Sequence, residues 1–508
     1  MTTEVADARL RSRDRKIIAT LLVATFVVIL NETIMGVALP PLMVALQISA
    51  NTVQWLTTAF MLTMAVVIPT TGFLLQRFST RTVFGAALGL FSAGTLLAGL
   101  APGFWVLLIA RVVQASGTAI MVPLLMTTIL TLVPAGRRGV VMGNVSIVIS
   151  VAPAIGPTLS GLILQFLPWR FMFLLVLPIA LAALGYGLRT LVNVNADGNQ
   201  PLDVVSVLLS VPAFGGIVFG LSRFGEAGQG SAWLAPVSLS IGVICLVVFT
   251  LRQRALVNSS GPLLDLRAFD LVMFRRGVAL LCIAAVALFG AIILLPIYFQ
   301  NIRGLDTLQT GLVLLPGGLL MGLLGPVVGR LFDRYGPRGL ATTGAVLLVA
   351  TLLSLTQVSA QTPIPMLLAV HLVLSMGLAC LFTPAFTTAL NPLPPQLYSH
   401  GSAILSTLQQ VAGAAGVALL ITLMTVRTLA GTAAGQPALT AQVAGIHFAF
   451  AVAAGIGLVA VVLAQSLRKT ETPTAGLGPA GPGAGDRESV MGARAVGDGD
   501  DLTGSELH

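Results

Sequence analysis

A single carboxylate, Glu32, lies well inside the first long apolar segment of the chain, residues 17–40, and the other apolar segments hold no second acid at such depth. A carboxylate in hydrocarbon is costly, so an acid there is by default a functional group. Burial favours its neutral, protonated form, and a carboxyl group that exchanges a proton inside a membrane can act as a proton carrier. The alternative is a glutamate that only caps or pairs within a helix bundle.

Arg111 is the one basic residue well inside an apolar segment. A guanidinium stays charged at accessible pH, so it needs a partner or a wet cavity. At 1.5 Å per residue, Glu32 lies about 22 Å along an outward-running first helix and Arg111 about 10 Å below the outer end of an inward-running fourth helix. In a hydrocarbon layer of about 30 Å both fall in the outer half. We expect them to lie side by side, either for proton coupling or as a fixed structural ion pair.

The composition is that of a polytopic membrane protein. Of the 508 residues, 56% are hydrophobic and 9% are charged, whereas soluble globular chains carry about 25% charged residues. The net charge of +9 does not indicate a nucleic-acid partner, because the basic residues lie mostly in short loops and at the N-terminus, where they orient helices.

The residues that catalysis or cofactor binding would need are missing from the sequence pattern. The three cysteines and four histidines lack the spacing of a disulfide, metal or haem site. Neither of the two lysines, Lys16 and Lys469, ends a Gly-rich phosphate loop, and we can assemble no nucleophile–base pair. We therefore expect no enzyme, no metal and no cofactor. Uphill work must then draw on an ion gradient, or on a partner that the sequence does not show.

Apolar segments of helix length, separated by turn signals, predict fourteen membrane-spanning helices. Their expected bounds are 17–39, 53–75, 82–100, 104–131, 139–165, 170–190, 204–222, 233–251, 276–299, 308–331, 339–358, 364–390, 401–426 and 443–466. An even number of spans puts both termini on one side, which the excess of arginine in alternate loops identifies as the cytoplasm. We expect a bacterial-type plasma membrane.

Two short loops repeat one pattern, GFLLQRFSTR at Gly72–Arg81 and GRLFDRYGPR at Gly329–Arg338. Each follows an even-numbered helix, as in a duplicated transporter with parallel halves. Residues 264–270, LDLRAFD, are expected to form an amphipathic segment on the inner surface. The predicted organisation is a basic cytoplasmic N-terminus (1–16), an N-terminal six-helix bundle (17–190), a linker with two extra transmembrane helices (191–275), a C-terminal six-helix bundle (276–466) and a disordered cytoplasmic tail (467–508).

The repeated loops resemble the signature loop of the major facilitator superfamily, and the helix count resembles its fourteen-helix drug:proton antiporter branch. LNETIMGVALPPLM, residues 30–43, is similar to the first-helix motif of that branch, especially in lincomycin-resistance-type multidrug exporters. The resemblance covers residues 17 to about 466. It implies an all-α fold of two six-helix bundles plus two extra central helices. It also implies a proton-coupling role for Arg111 within R-x-x-Q-x-x-G, near the acid of the first helix.

The resemblance implies that the loops gate the inner side, while the alternative is that they are tight turns with basic anchors. The acid that the family carries in the first loop is Gln76 here, and the second loop keeps Asp333. We expect weaker closure at the first loop for this reason. The expected gating residues are Gly72, Gln76, Arg77, Arg81, Gly329, Asp333, Arg334 and Arg338.

GNVSIVISVAPAIGPTLSG in the fifth helix resembles the antiporter motif of the superfamily, which implies export rather than uptake. Small residues allow another helix to approach closely, and prolines remove backbone donors and bend a helix. Ordinary packing of membrane helices is the alternative. The expected hinge residues are Gly143, Ala152, Pro153, Gly156, Pro157 and Gly161.

A substrate site is expected at mid-membrane between the two halves. The candidate lining residues are Asn31, Trp55, Thr58, Asn144, Tyr298, Gln300, Gln409 and Gln410. The resulting hypothesis is a proton-driven exporter of small lipophilic drugs, working as a monomer among membrane lipids by alternating access. A dedicated exporter of one endogenous lipid or antibiotic and a non-transporting membrane sensor are the alternatives.

Overall fold

Fourteen helices long and apolar enough to cross a membrane lie in the part of the chain that the computed structural model describes, residues 12–193, 203–225, 233–257 and 261–468. Every regular element in those ranges is helical. The predicted helix count and the all-α class are therefore confirmed. Most of the predicted N-terminal arm, residues 1–11, and the tail beyond residue 468 lie outside the described residues.

The spanning helices are numbered here in chain order, and several of them consist of two segments. They are α1 (Ser12–Leu46), α2 (Ala50–Val67 and Thr71–Arg77), α3 (Thr80–Gly99), α4 (Phe104–Leu132), α5 (Arg138–Phe166), α6 (Phe171–Leu174 and Val176–Thr190), α7 (Val204–Ser210 and Gly216–Gly225), α8 (Leu234–Leu256), α9 (Val272–Ile297), α10 (Thr307–Tyr335), α11 (Pro337–Leu355), α12 (Ile364–Leu390), α13 (Tyr398–Ala433) and α14 (Ala438–Gln465).

Polar residues at the loop boundaries begin several of these helices. Ser49 accepts a hydrogen bond from the backbone N–H of Thr52 at the start of α2, and Ser79 does the same for Thr82 at the start of α3. Asp306 and Gln309 form a capping box on α10. Each cap satisfies an N–H group that has no partner within the helix, which is why these short polar loops end where they do.

Helices pack mainly within two sets, α1–α6 and α9–α14. In the first set α3 lies along α4, and α1 lies along α5; in the second set α11 lies along α12, and α13 along α14. The two sets meet chiefly where α5 lies along α10, with further contacts of α13 on α2 and α4. This arrangement gives two six-helix bundles joined along a few helix pairs.

Helices α7 and α8 lie beside the two bundles and pack against each other. α7 contacts α2 of the first bundle and α13 of the second. Trp55 of α2 stacks on Phe219 of α7 with ring centroids 5.9 Å apart. By contrast, only 17% of the most apolar stretch of α8 is buried, so most of that helix faces outward. The extra pair therefore spans the cleft between the two bundles.

The segment before α9 contains a short 3-10 helix, Leu266–Asp270, in which Ala268 is buried; Leu264, just before that helix, is buried too. Asp265 is 3% exposed and accepts hydrogen bonds from the backbone and the guanidinium of Arg267. Burial by itself raises the pKa of the Asp265 carboxyl, but the hydrogen bonds from Arg267 outweigh it and hold that pKa below its ordinary value. The segment is thus packed against the bundle by an apolar face, and the ion pair between Asp265 and Arg267 stabilises the segment internally.

Candidate functional site

The guanidinium of Arg111 is enclosed where α1, α2 and α4 meet. The residue is 1% exposed, and its Cζ lies 4.1 Å from the centroid of the Phe60 ring. Its Nη1 donates to Oδ1 of Asn31 at 3.4 Å, and its Nε donates to the carbonyl of Leu56 at 3.5 Å. These contacts meet the requirement that a charge buried at this depth have polar and aromatic partners.

Gln114 orients the same guanidinium from within α4. Residues three apart lie on one face of a helix, and Oε1 of Gln114 accepts from Nη1 of Arg111 at 3.1 Å. The amide nitrogen of Gln114 in turn donates to Oγ1 of Thr95 on α3 at 2.9 Å. Because that donation fixes which end of the amide faces Arg111, Thr95 positions the charge through Gln114. Sequence reasoning singled out neither Thr95 nor Phe60.

Glu32 follows Asn31 on α1 and is half-buried. Glu32 lies next to the Asn31 that Arg111 contacts, yet among the described residues no ion pair joins Glu32 and Arg111 directly. Arg111 thus lies at the level of α1 that the depth estimate predicted, but its hydrogen bond to that helix is made with Asn31 and not with Glu32. The carboxyl group of Glu32 makes no hydrogen bond within the described part of the chain. Its role in proton coupling stays a prediction.

The fifth helix is packed closely against α10 and α1 through its small residues. A Cβ on Gly143 would lie 2.2 Å from the carbonyl oxygen of Gly325 on α10, and a Cβ on Gly156 would lie 2.3 Å from Oγ1 of Thr33 on α1. Thr33 also donates to the carbonyl of Ala152 at 3.4 Å. Only a glycine permits these approaches.

The remaining predicted hinge residues take less crowded positions. Pro153 and Pro157 lie inside the continuous helix α5. A Cβ on Gly161 would be 4.0 Å from the nearest atom, on Leu308, so close packing does not require a glycine there. Close contact is therefore concentrated in the part of α5 from its start to Gly156, and the hinge role of the prolines stays a prediction.

The second signature loop closes onto the start of α5. The two carboxylate oxygens of Asp333 accept from the backbone N–H groups of Gly139 and Val140 at 2.9 and 3.0 Å. A carboxylate at a helix N-terminus is stabilised by the helix dipole as well as by these hydrogen bonds. Gly329 approaches the same turn, since a Cβ on it would lie 2.2 Å from the carbonyl oxygen of Gly139. We call the end of the protein that carries both signature loops the inner end.

The first signature loop contacts the start of α13. Nε2 of Gln76 donates to the carbonyl of Gln396 at 3.0 Å. A Cβ on Gly72 would lie 3.0 Å from Nδ1 of the buried His400. The hydrogen bond of Gln76 joins the two bundles, while the expected weaker closure at this loop stays a prediction. Of the loop arginines, Arg77 is half-buried, while the exposed ones are Arg81, Arg334 and Arg338.

Arg138 is a further contact between the bundles, and sequence reasoning treated it only as a loop charge. It is 6% exposed, and its Nη2 donates to the carbonyl of Leu130 at 2.7 Å and to the Tyr398 hydroxyl at 2.9 Å. Its Nη1 donates to Oδ1 of Asn391 at 3.5 Å. A cavity of about 770 Å³ adjoins this cluster and reaches Gln76 and Thr127. In the sequence, only the apolar residues that follow Arg138 indicated that this arginine lies in the buried first turn of α5.

The predicted substrate-site residues lie in different surroundings. Asn31 is buried against Arg111, and Trp55 stacks on α7. Tyr298 is 1% exposed and donates to the carbonyl of Ser359 at 2.7 Å, so its hydroxyl group contacts the loop between α11 and α12. Gln410 has a buried side-chain nitrogen with no hydrogen-bond partner among the described residues. The other four are half-buried or exposed: Thr58, Asn144, Gln300 and Gln409.

Known proteins resemble the chain in sequence and in fold. The lincomycin resistance protein LmrB of Listeria monocytogenes is 42% identical over 460 residues, which cover 90% of this chain and 97% of that protein. LmrB of Bacillus subtilis is 40% identical over 467 residues, covering 90% and 96%. The crystal structure of the human organic anion transporter MFSD10 shares the fold with a TM-score of 0.63 at 15% identity, covering 89% of this chain and 99% of that one.

The family profile agrees with these similarities. The pattern of the Major Facilitator Superfamily matches residues 21–417, which include both signature loops, the Glu32–Arg111 region and the small-residue face of α5. The chain belongs to the Major Facilitator Superfamily.

Proposed function

We propose that this membrane transporter is a proton-coupled exporter of small lipophilic compounds, a drug:proton antiporter that works by alternating access. The observation that carries the proposal is the buried guanidinium of Arg111, held against α1 at Asn31, the residue before Glu32. The lincomycin resistance proteins among its relatives support a drug as cargo. As a transporter of this superfamily it is no enzyme.

The arrangement supplies the two states that proton coupling needs. When Glu32 is ionised, the nearby positive charge of Arg111 attracts it; when Glu32 is protonated, that attraction is lost. Because Gln114 holds the guanidinium on α4 in either case, the change in attraction acts on α1. A proton bound at Glu32 therefore biases the position of α1 relative to α4, which is the differential stabilisation that a population shift requires.

The inner end supplies contacts that an opening motion must break. Asp333 on the start of α5, Arg138 on Tyr398, and Gln76 on Gln396 each join the two bundles by hydrogen bonds. Hydrogen bonds of this kind contribute about 0.5–3 kcal/mol each, so a ligand or a proton can outweigh them. This closure fits a conformation that faces the outer side.

Several further features belong to the proposal. The proton gradient drives the cycle without a cofactor, and the transporter works as a monomer. The membrane is a bacterial plasma membrane, with both termini in the cytoplasm. The boundaries of the two bundles are residues 17–190 and 276–466, with the extra helices between them. A single acid inside the spans suits about one proton per cycle and substrates without two positive charges.

Efflux in everted membrane vesicles tests this function. Lincomycin and a panel of lipophilic dyes are supplied to energised vesicles containing the full chain, with and without a proton uncoupler. We expect accumulation that the uncoupler abolishes, and loss of accumulation in Glu32→Gln at an equal protein level. Asp306→Asn, which neutralises an exposed capping acid of α10, is the matched control and retains activity. Uphill accumulation by Glu32→Gln would show that Glu32 is not the coupling site.

A further inference from the structure

A second cavity, of about 550 Å³, lies apart from the Glu32–Arg111 site, between α7, α8, the segment before α9, and α13. Its volume is within the range of about 300–1,000 Å³ typical of small-molecule pockets. Phe214 and Phe249 meet edge to face in its wall, with ring centroids 5.7 Å apart. Phe214 lies in a π-helical turn of α7, Val211–Gly215, and such turns are frequent at functional sites.

The cavity extends from the inner end of the protein to about the middle of the membrane. Leu246 of α8 lies ten residues before the end of its helix, and Leu408 of α13 lies ten residues after the start of its helix. At 1.5 Å per residue both lie about 15 Å from the inner ends, half of a hydrocarbon layer of about 30 Å. The depth therefore matches a hydrocarbon chain that enters from one leaflet.

The mouth of the cavity is charged. Arg254, Arg267 and Asp270 line it and are exposed. Arg267 is paired with Asp265, whereas Arg254 makes no hydrogen bond or ion pair with any other described residue. Residues 252–276 contain five arginines and two aspartates, so the mouth lies in a region of excess positive charge.

The outer wall of the cavity faces outward from the protein. On α8, Val247, Val248 and Leu251 are 53%, 45% and 62% exposed, as expected of a helix surrounded by lipid. Basic pockets between transmembrane helices at the cytoplasmic side suit anionic lipid headgroups. We propose that this cavity binds an anionic phospholipid, with one acyl chain between Phe214, Phe249 and Leu408 and the phosphate at Arg254 and Arg267.

The charge and the lining both favour this occupant. A neutral hydrocarbon gains nothing from Arg254, and a lipophilic cation is repelled by the excess of arginines. An anionic phospholipid matches an apolar interior and a basic mouth at once. The bound lipid would join α7 and α8 to α13, the helices between which the cavity lies. This inference concerns a site that the proposed proton coupling does not use, and its test measures binding alone.

Lipid binding is tested on the purified full chain by native mass spectrometry, titrating phosphatidylglycerol and phosphatidylcholine with identical acyl chains. We expect phosphatidylglycerol to bind at least fivefold more tightly, since each arginine near a membrane surface contributes about a fivefold preference for an anionic lipid. Arg254→Gln should lower that preference about fivefold, while Arg189→Gln, a change of an exposed arginine at the end of α6, should keep it. Thr250→Trp, which fills the cavity, should reduce binding of both lipids.

A second control separates filling of the cavity from a general effect of tryptophan on α8. Val247→Trp changes the outward face of the same helix and should leave binding intact. Equal affinity for the two lipids overturns the proposal, as does equal loss in Arg254→Gln and Arg189→Gln, or in Thr250→Trp and Val247→Trp. Displacement of bound phosphatidylglycerol by lincomycin or by a lipophilic dye would assign the cavity to the exported substrate and also overturn the proposal.

Discussion

The hydroxyl group of Thr33 occupies the space that a side chain on Gly156 would need: a Cβ on Gly156 would lie 2.3 Å from Thr33 Oγ1. Thr33 follows Glu32 directly on α1, and Gly156 lies in the small-residue face of α5. The residue beside the proposed proton site is therefore in contact with the helix that packs along the second bundle. A shift of α1 on protonation would press on α5 at this point.

Gly156→Ala should destabilise the protein and reduce transport, because overpacking of this kind costs about 1–3 kcal/mol. Thermal unfolding of the purified protein and efflux in vesicles measure the two effects. Thr33→Ala combined with Gly156→Ala should recover part of the lost stability, because it removes the hydroxyl group at 2.3 Å while the Cβ of residue 33 stays 2.9 Å from the new methyl group. Gly89→Ala is the matched control, since a Cβ on Gly89 meets nothing within 4 Å. No recovery in the double variant would contradict the contact between the two helices.

Arg111→Lys should lower efflux more than tenfold while the charge is kept. A lysine ammonium is a compact point charge and lacks the rigid fork of donors with which Arg111 reaches Asn31, Gln114 and the Leu56 carbonyl together. Efflux at equal protein level is the measurement, with Arg189→Lys as the control at an exposed position. Wild-type efflux in Arg111→Lys would mean that charge alone matters and that the hydrogen-bond geometry does not.

Thr95→Val should weaken efflux without removing any group that touches substrate or proton. Valine keeps the shape of threonine but leaves the Gln114 amide without its acceptor on α3, so that amide can rotate away from Arg111. A purely structural role would lower the melting temperature and leave the pH profile of efflux unchanged. We expect the pH midpoint of efflux to shift, and Thr95→Ser, which retains the hydroxyl, to restore the wild-type profile.

Gln76→Asp should stabilise the closed inner end. Asp333 shows what an acid does in the other loop, where it accepts from two N–H groups at a helix start. Gln76 instead donates to the Gln396 carbonyl beside the start of α13, so an aspartate gives up that hydrogen bond and must accept from the N–H groups at the start of α13 to gain from its charge. A charge-assisted hydrogen bond contributes about 1.5–3 kcal/mol, enough for a tenfold shift between two conformations. Labelling of Thr127→Cys, in a background without Cys245, Cys282 and Cys380, should therefore slow about tenfold.

Asp333→Asn is the opposite change and should speed the same labelling. The asparagine side chain lacks the negative charge that interacts with the helix dipole at the start of α5. Unchanged or faster labelling in a folded Gln76→Asp protein would contradict the gating role of the first loop. It would mean that Gln76 already makes the full closure, or that the loop is only a turn.

The ion pair between Asp203 and Arg252 gives the extra helices a defined response to acid. Hydrogen bonds from Arg252 hold the pKa of Asp203 below its ordinary value. The pair therefore stabilises the fold above the unfolded pKa of about 3.9 and loses that contribution as pH falls through the lower folded pKa. The melting-temperature difference between wild type and Asp203→Asn should stay constant from about pH 5 to 8 and shrink below about pH 4. A change near neutral pH would point to another group.

The sequence was sufficient to predict the membrane-spanning helices, because hydropathy and the distribution of arginines among the loops are summed over many residues. The rise per residue also brought Arg111 to the right depth on α1. The rise per residue could not tell whether Arg111 contacts Asn31 or Glu32, because adjacent residues point about 100° apart around a helix. The rotation of a helix about its own axis depends on the helices packed against it. The same limit applies to Tyr298, a predicted substrate contact whose hydroxyl group donates to the Ser359 carbonyl. The burial of Arg138 depends on Asn391 and Tyr398, which are distant in sequence.

The contact of α5 with α10 has a consequence for the speed of the transport cycle. At Gly143 and Gly325 backbone lies against backbone, and no large side chains interlock across the two helices at that point. One helix can therefore move past the other there without side chains changing rotamer. Resistance to sliding is low at this point, and we expect the breaking of the polar contacts of Asp333 and Arg138 to contribute much of the activation barrier. Turnover should then depend more steeply on those few hydrogen bonds than on the packing of the long helices between them.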